Sequence, residues 1–180
     1  PIPHLMREMR MMDPLEKNTS GIFIGSLKSH KMRKELLDIL IMDWGSDFSN
    51  HTKTKDFVEL YRKADFVFSP RGWARGCFRT FELLQLGLIP ILVYSDALWI
   101  PYNYPEFGWS EIAFSYSIKQ MRKNSRIPLF KSGEDINSMR EEIKKRRKLF
   151  TYKGLMEQIE LLFTNQHKSH LRCNKYLFPM

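Results

Sequence analysis

Residues 66–101 read FVFSPRGWARGCFRTFELLQLGLIPILVYSDALWIP. An apolar run over 65–69 ends at Ser69, Pro70, Arg71 and Gly72. A polar loop follows, and 77–87 then carries apolar side chains at helical spacing until Gly87 stops it. A second apolar run over 89–95 ends at Ser95 and Asp96. Strand, helix and strand in that order make a parallel β-α-β unit. Sheets built from such units bind ligands beyond the carboxyl ends of their strands. This segment collects its polar residues there, over 69–77 after the first strand and 95–102 after the second.

The flanking chain continues the alternation. GIFIGS (21–26) reads as a buried strand, and KMRKELLDILI (31–41) as a helix with Met32, Leu36, Leu37 and Leu40 at helical spacing. Residues 42–52 are turn-rich, and TKDFVELYRKA (54–64) reads as a second helix. EIAFSY (111–116) reads as a short strand, and 136–150 and 154–166 as helices. The expected class is α/β, a Rossmann-like parallel sheet with helices on both faces. Three segments are expected: an extended linker over 1–20, the α/β domain over 21–166 and a polar tail over 167–180.

Composition bounds the function. The chain has 180 residues, enough for one domain with a core. Hydrophobic residues make up 43% and aromatics 13%, which excludes a disordered chain. No apolar run approaches the roughly 20 residues that span a bilayer. The chain begins at Pro1 and not at Met, so an excised or processed piece is expected. The net charge of +9 suits an anionic partner: nucleic acid, phosphates or an acidic membrane. Two cysteines, Cys77 and Cys173, make no disulfide framework and do not fix the redox compartment. The sequons Asn18-Thr19-Ser20 and Asn50-His51-Thr52 permit a secretory setting without establishing one.

The chemistry concentrates in the first quoted loop and its helix. Arg79 and Glu82 stand three residues apart and share a helix face. Arg79 falls in the first helical turn, where unpaired backbone N–H groups and the helix dipole favour an anion and a guanidinium adds a bidentate donor. Glu82 lies one turn deeper, where a carboxylate can accept from the vicinal hydroxyls of a ribose. Gly72 and Gly76 allow close backbone approach, Arg71 and Arg75 add charge, and Trp73 could stack on a base or sugar ring. The competing reading is an exposed Arg79–Glu82 pair worth roughly 0.2–0.5 kcal/mol. Cys77 reads as a backbone donor to a phosphate or as a small buried residue at the helix start. Trp99 and Trp109 read equally as core or as contacts. His167, His170 and Cys173 lack a second ligand pair and read as a solvated tail, not a zinc site. KKRRK (144–148) lies beside Glu141 and Glu142 and reads as a solvated helix face, with a nucleic-acid patch as the alternative. Asp38, Asp43 and Asp47 show no metal-loop spacing.

The segment SPRGWARGCFRTFELLQLGLIPILVYSDALWIPY (69–102) resembles the signature of the exostosin-type glycosyltransferases, through Pro70, Arg71, Gly72, Phe78, Arg79, Glu82, Leu83, Leu84, Gly87, Leu88, Ile89, Pro90, Ile91, Asp96, Pro101 and Tyr102. FGWSEIAFSYS (107–117) is similar to the family's Asp-Trp segment and keeps Trp109. PIPHL (1–5) resembles its interdomain segment, and GIFIGSLKSHKMRKEL (21–36) its first strand and helix. Cys77, Leu83 and Gly108 depart from the family's usual Ser or Thr, Ala and Asp.

The resemblance implies the donor-binding half of a GT-B enzyme, a hexosyl- or pentosyltransferase that takes a UDP-sugar, with UDP-xylose the first choice, and transfers with inversion to a glycan or glycoprotein. It places Arg71, Gly72, Arg75, Gly76, Cys77, Phe78 and Arg79 on the donor diphosphate and Glu82 on the ribose. Ser69, Trp73 and Asp96 become base or sugar contacts. The general base is expected in an N-terminal half, and neither metal nor nucleic acid is expected. The resemblance also implies the secretory-pathway lumen; a cytoplasmic setting would fit a viral or microbial chain. Two readings from other classes remain: a basic nucleic-acid-binding α/β domain and a non-catalytic sugar-binding module.

Overall fold

Five strands form one all-parallel sheet in the order β2-β1-β3-β4-β5. They are β1 (Thr19–Ile24), β2 (Phe48–His51), β3 (Ala64–Pro70), β4 (Ile89–Tyr94) and β5 (Phe114–Ser117). The computed structural model describes residues 8–101, 107–126 and 133–163. The helices are α1 (Lys31–Trp44), α2 (Phe57–Arg62), α3 (Phe78–Leu86), α4 (Ile118–Lys123), α5 (Gly133–Arg146) and α6 (Tyr152–Phe163). The register sets Gly21 beside Phe48 and Phe66, Phe66 beside Ile89, and Ile91 beside Phe114. The molecule is a Rossmann-like α/β fold, as expected.

Alternation along the strands explains why both faces are covered. Phe23, Phe66, Phe68, Ile89, Ile91 and Val93 share one buried cluster with Met32, Leu36, Leu40 and Trp44 of α1. Their strand neighbours Ile22, Ile24 and Val67 face the other way and pack with Tyr61 of α2 and Leu83 and Leu86 of α3. Gly21 is required by the first cluster. A Cβ there would lie 2.6 Å from the Trp44 ring, which packs edge-on against Phe68 with centroids 5.3 Å apart. Gly87 ends α3 in the left-handed region (φ 80°), and the Leu88 N–H donates back to the Leu83 carbonyl.

Several boundaries differ from expectation. The turn-rich 42–52 region contains β2, an edge strand in which only Phe48 is fully buried. The strand expected over 111–116 is shifted: Trp109–Glu111 form a 3-10 turn and β5 follows. The short α4 was not expected; it begins with a capping box between Ser117 and Gln120. The helix expected over 136–150 is α5 followed by a 3-10 turn, Arg147–Phe150. Residues 8–18, expected as linker, have no regular structure yet are bonded to the domain. The Met9 N–H donates to Gln85 Oε1 (2.5 Å), that of Leu15 to the Arg62 carbonyl (3.1 Å) and that of Asn18 to the Lys63 carbonyl (3.0 Å). The PIPHL segment, Tyr102 and the 167–180 tail with His167, His170 and Cys173 lie outside the described residues.

Candidate functional site

The connections from β1 and β3 leave in opposite directions across the sheet, so a crevice opens between their carboxyl ends, at the topological switch point. A cavity of about 460 Å³ lies there, lined by Gly25 and Ser26 after β1, Arg33 of α1, Cys77, and Phe78, Arg79 and Glu82 of α3. Cys77 is the extended residue preceding α3, and its side chain does not cap the helix, so no side chain takes up the first-turn N–H groups from that position.

Arg79 and Glu82 sit together inside this cavity. Nη1 of Arg79 is 2.6 Å from Oε2 of Glu82 without a directed hydrogen bond, so charge holds the pair. The Glu82 side chain is only 6% exposed, which removes the reading as a solvated surface pair. The guanidinium of Arg79 lies over two rings of α2, 4.7 Å from the Phe57 centroid and 5.5 Å from that of Tyr61. Tyr61 is itself buried, donates to the Ile24 carbonyl (3.3 Å), and has its phenol pKa pushed well up by that burial.

Arg33 is the residue that sequence reasoning missed. Nε donates to the Arg71 carbonyl (2.8 Å), Nη1 to the Ser26 carbonyl (2.9 Å) and Nη2 to the Pro70 carbonyl (3.0 Å). Burial lowers its pKa, while the neighbouring Cys77 acts the other way. The available signal was positional. Arg33 stands in the first turn of the helix after β1, as Arg79 does in the helix after β3.

The three arginines expected to act as one group are divided. Asp96 accepts from Arg71 Nη1 at Oδ1 (2.7 Å) and from Arg75 Nε at Oδ2 (2.9 Å). Burial works against the Asp96 charge, but the Ala97 backbone N–H, the Ser95 hydroxyl and the two guanidiniums outweigh it and hold the carboxyl down at about 2. Arg71 and Arg75 therefore line a second, much smaller void of about 20 Å³ beside β4, room for about one water, and Cys77 is common to both spaces. Ser69 is buried, its hydroxyl 2.9 Å from that of Thr80, where it ties β3 to α3. Gly72 and Gly76 are half-buried in the loop, and Trp73 between them is 83% exposed. Trp109 packs against Phe107 and Phe150 and donates to the Pro101 carbonyl (2.8 Å), and Trp99 packs on the core.

The proton chemistry of these side chains is limited. A carboxyl held at about 2 makes Asp96 a weak base. His30 accepts at Nδ1 from the Met32 N–H (3.2 Å), which places its proton on Nε2; burial, Arg71 and Lys31 lower its pKa. Farther away, the basic run is engaged internally. Lys144 pairs with Glu141, Lys145 with Glu142, Arg146 with Glu111 and Glu142, and Lys148 with Glu157, while Arg147 donates to the Gln85 and Met9 carbonyls. Asp43 accepts from Ser125 and Asp47 pairs with Arg126. Among the described residues no group of three or more His, Cys, Asp or Glu is placed to hold a metal ion, and no helix is long and apolar enough to cross a membrane. The chain matches no family model and no curated protein.

Proposed function

We propose that the cavity between β1 and β3 holds the diphosphate and ribose of a nucleotide-sugar donor, and that the chain is the donor-binding half of an exostosin-like glycosyltransferase. The observation that carries this reading is the Arg79–Glu82 pair in the first turns of α3, a half-buried guanidinium against a buried carboxylate, lining a cavity at the switch point of a doubly wound sheet. In this reading the diphosphate meets the first-turn N–H groups of α3 and the guanidinium of Arg79. Arg79 is steadied by the Phe57 and Tyr61 rings, so its charge is prearranged where the leaving diphosphate gains charge during transfer. Glu82, whose Oε2 lies 2.6 Å from Arg79 Nη1, is the cavity carboxylate that would accept from the ribose hydroxyls. The donor is a UDP-sugar, with xylose the first candidate from the resemblance, and the acceptor is a glycan whose hydroxyl is deprotonated by a base outside the described residues.

Calorimetric titration with UDP, GDP, ADP and CMP tests the assignment. UDP is expected to bind at least about tenfold more tightly than either purine diphosphate, a difference of about 1.4 kcal/mol. Equal affinities would remove uridine and leave a phosphate site. Absence of binding by all four would overturn the reading of the cavity.

A further inference from the structure

The arginines of this region differ in what neutralises them. Arg71 and Arg75 share Asp96, and Arg79 faces Glu82. Among the described residues Arg33 is the cavity arginine without a carboxylate partner: it donates to the backbone carbonyls of Ser26, Pro70 and Arg71 and lies in hydrogen-bond contact with the Cys77 side chain. We infer that Arg33 is the principal anion-binding cation of the cavity, held in place by these carbonyls and left for a ligand phosphate to neutralise. This rests on the reading of the cavity as an anion site.

Two arguments support it. Carbonyls satisfy N–H groups but do not cancel a charge, and a desolvated guanidinium without a counter-ion attracts an anion strongly. A guanidinium also has five N–H donors in a fixed fork. Three are used by chain segments leaving β1 and β3, which stitches the two walls of the crevice together, and the other two belong to a side chain that lines the cavity beside the Cys77 thiol, itself in hydrogen-bond contact with the guanidinium. Room for this bracket is made by glycine: a Cβ on Gly25 would lie 3.2 Å from Arg33 Nη1.

The test is calorimetric titration of the whole chain with inorganic pyrophosphate and, separately, uridine, for wild type, Arg33→Gln, Arg33→Lys and Arg79→Ala. Leu40→Ala, a cavity in the buried face of α1, serves as a control for lost stability. Arg33→Gln is expected to weaken pyrophosphate more than about tenfold and uridine less than about twofold. Arg33→Lys, which keeps the charge but not the fork, is expected to fall between wild type and Arg33→Gln. The inference is overturned, with the cavity reading intact, if Arg79→Ala weakens pyrophosphate while Arg33→Gln does not. Equal losses in Arg33→Lys and Arg33→Gln, or parallel losses of pyrophosphate and uridine in Arg33→Gln, assign Arg33 a purely structural role and also overturn it. If wild type does not bind pyrophosphate, the cavity reading falls and this inference with it.

Discussion

Asp96 shows how one carboxylate can set the electrostatics of a loop. It bridges Arg71 and Arg75 across a sequence separation of 25 and 21 residues, so one carboxylate charge offsets part of the charge of the two guanidiniums in the free protein. Asp96→Asn is therefore expected to release charge into the loop and tighten pyrophosphate binding by roughly two- to tenfold, about 0.4–1.4 kcal/mol. Unchanged or weaker binding would show that these arginines do not compete for the ligand. The pH signature follows from the depressed carboxyl. Its small, solvent-screened contribution to stability is present above the unfolded value of about 3.9 and is lost as pH falls through about 2. Arg79 and Glu82 were legible from sequence because an i, i+3 spacing is local. The Asp96 bridge was not, because nothing in the spacing of PRGWARG reveals a partner beyond the next strand. Arg33 was hidden for the same reason: its acceptors are backbone carbonyls, which carry no residue signature.

At the level of elements, long apolar runs were read well and short amphipathic ones were not. β1, β3 and β4 are buried on both faces, and their runs are unmistakable. β2 reads Phe-Ser-Asn-His, an edge strand with polar residues on its open side, and β-propensity alone argues against it. The attachment of the segment over 8–18 was not legible because it runs largely through backbone groups, with Glu8 and Lys17 as its side-chain contacts. The Lys17 Nζ donates to the carbonyls of Arg62 (3.0 Å) and Ala64 (2.6 Å), two acceptors that suit the two N–H groups of a neutral amine. Burial and the nearby Arg140 lower its pKa to about 8, against a smaller opposing pull from Asp65. Between about pH 8 and the unfolded value of about 10.4 the unfolded chain holds a proton that the folded chain has released, so stability from this group rises with pH through that window. Urea unfolding from pH 7.5 to 10.5 should show that rise in wild type relative to Lys17→Met, whose curve should lack it. Parallel curves would mean that Lys17 is not held in the docked position described.

For the whole molecule, the order β2-β1-β3-β4-β5 is what turns separate loops into one crevice. The alternation of strands and helices foretold a parallel sheet, but the neighbour of β1 depends on β2, which the sequence concealed. The location of the cavity between β1 and β3, and not between β3 and β4 where most of the loop arginines lie, therefore required the structure. The central claim is that a nucleoside diphosphate occupies this crevice. Hydrogen exchange of the chain with and without UDP tests it most directly, because a bound ligand slows exchange where it satisfies or shields amides. The account predicts slower exchange over residues 25–26 and 71–80, the walls and helix start of the β1–β3 cavity, with little change at the distant cavity formed by Ser110, Glu111, Asp135 and Glu142. Unchanged exchange over 25–26 and 71–80 at saturating UDP, or protection confined to the distant cavity, would contradict it.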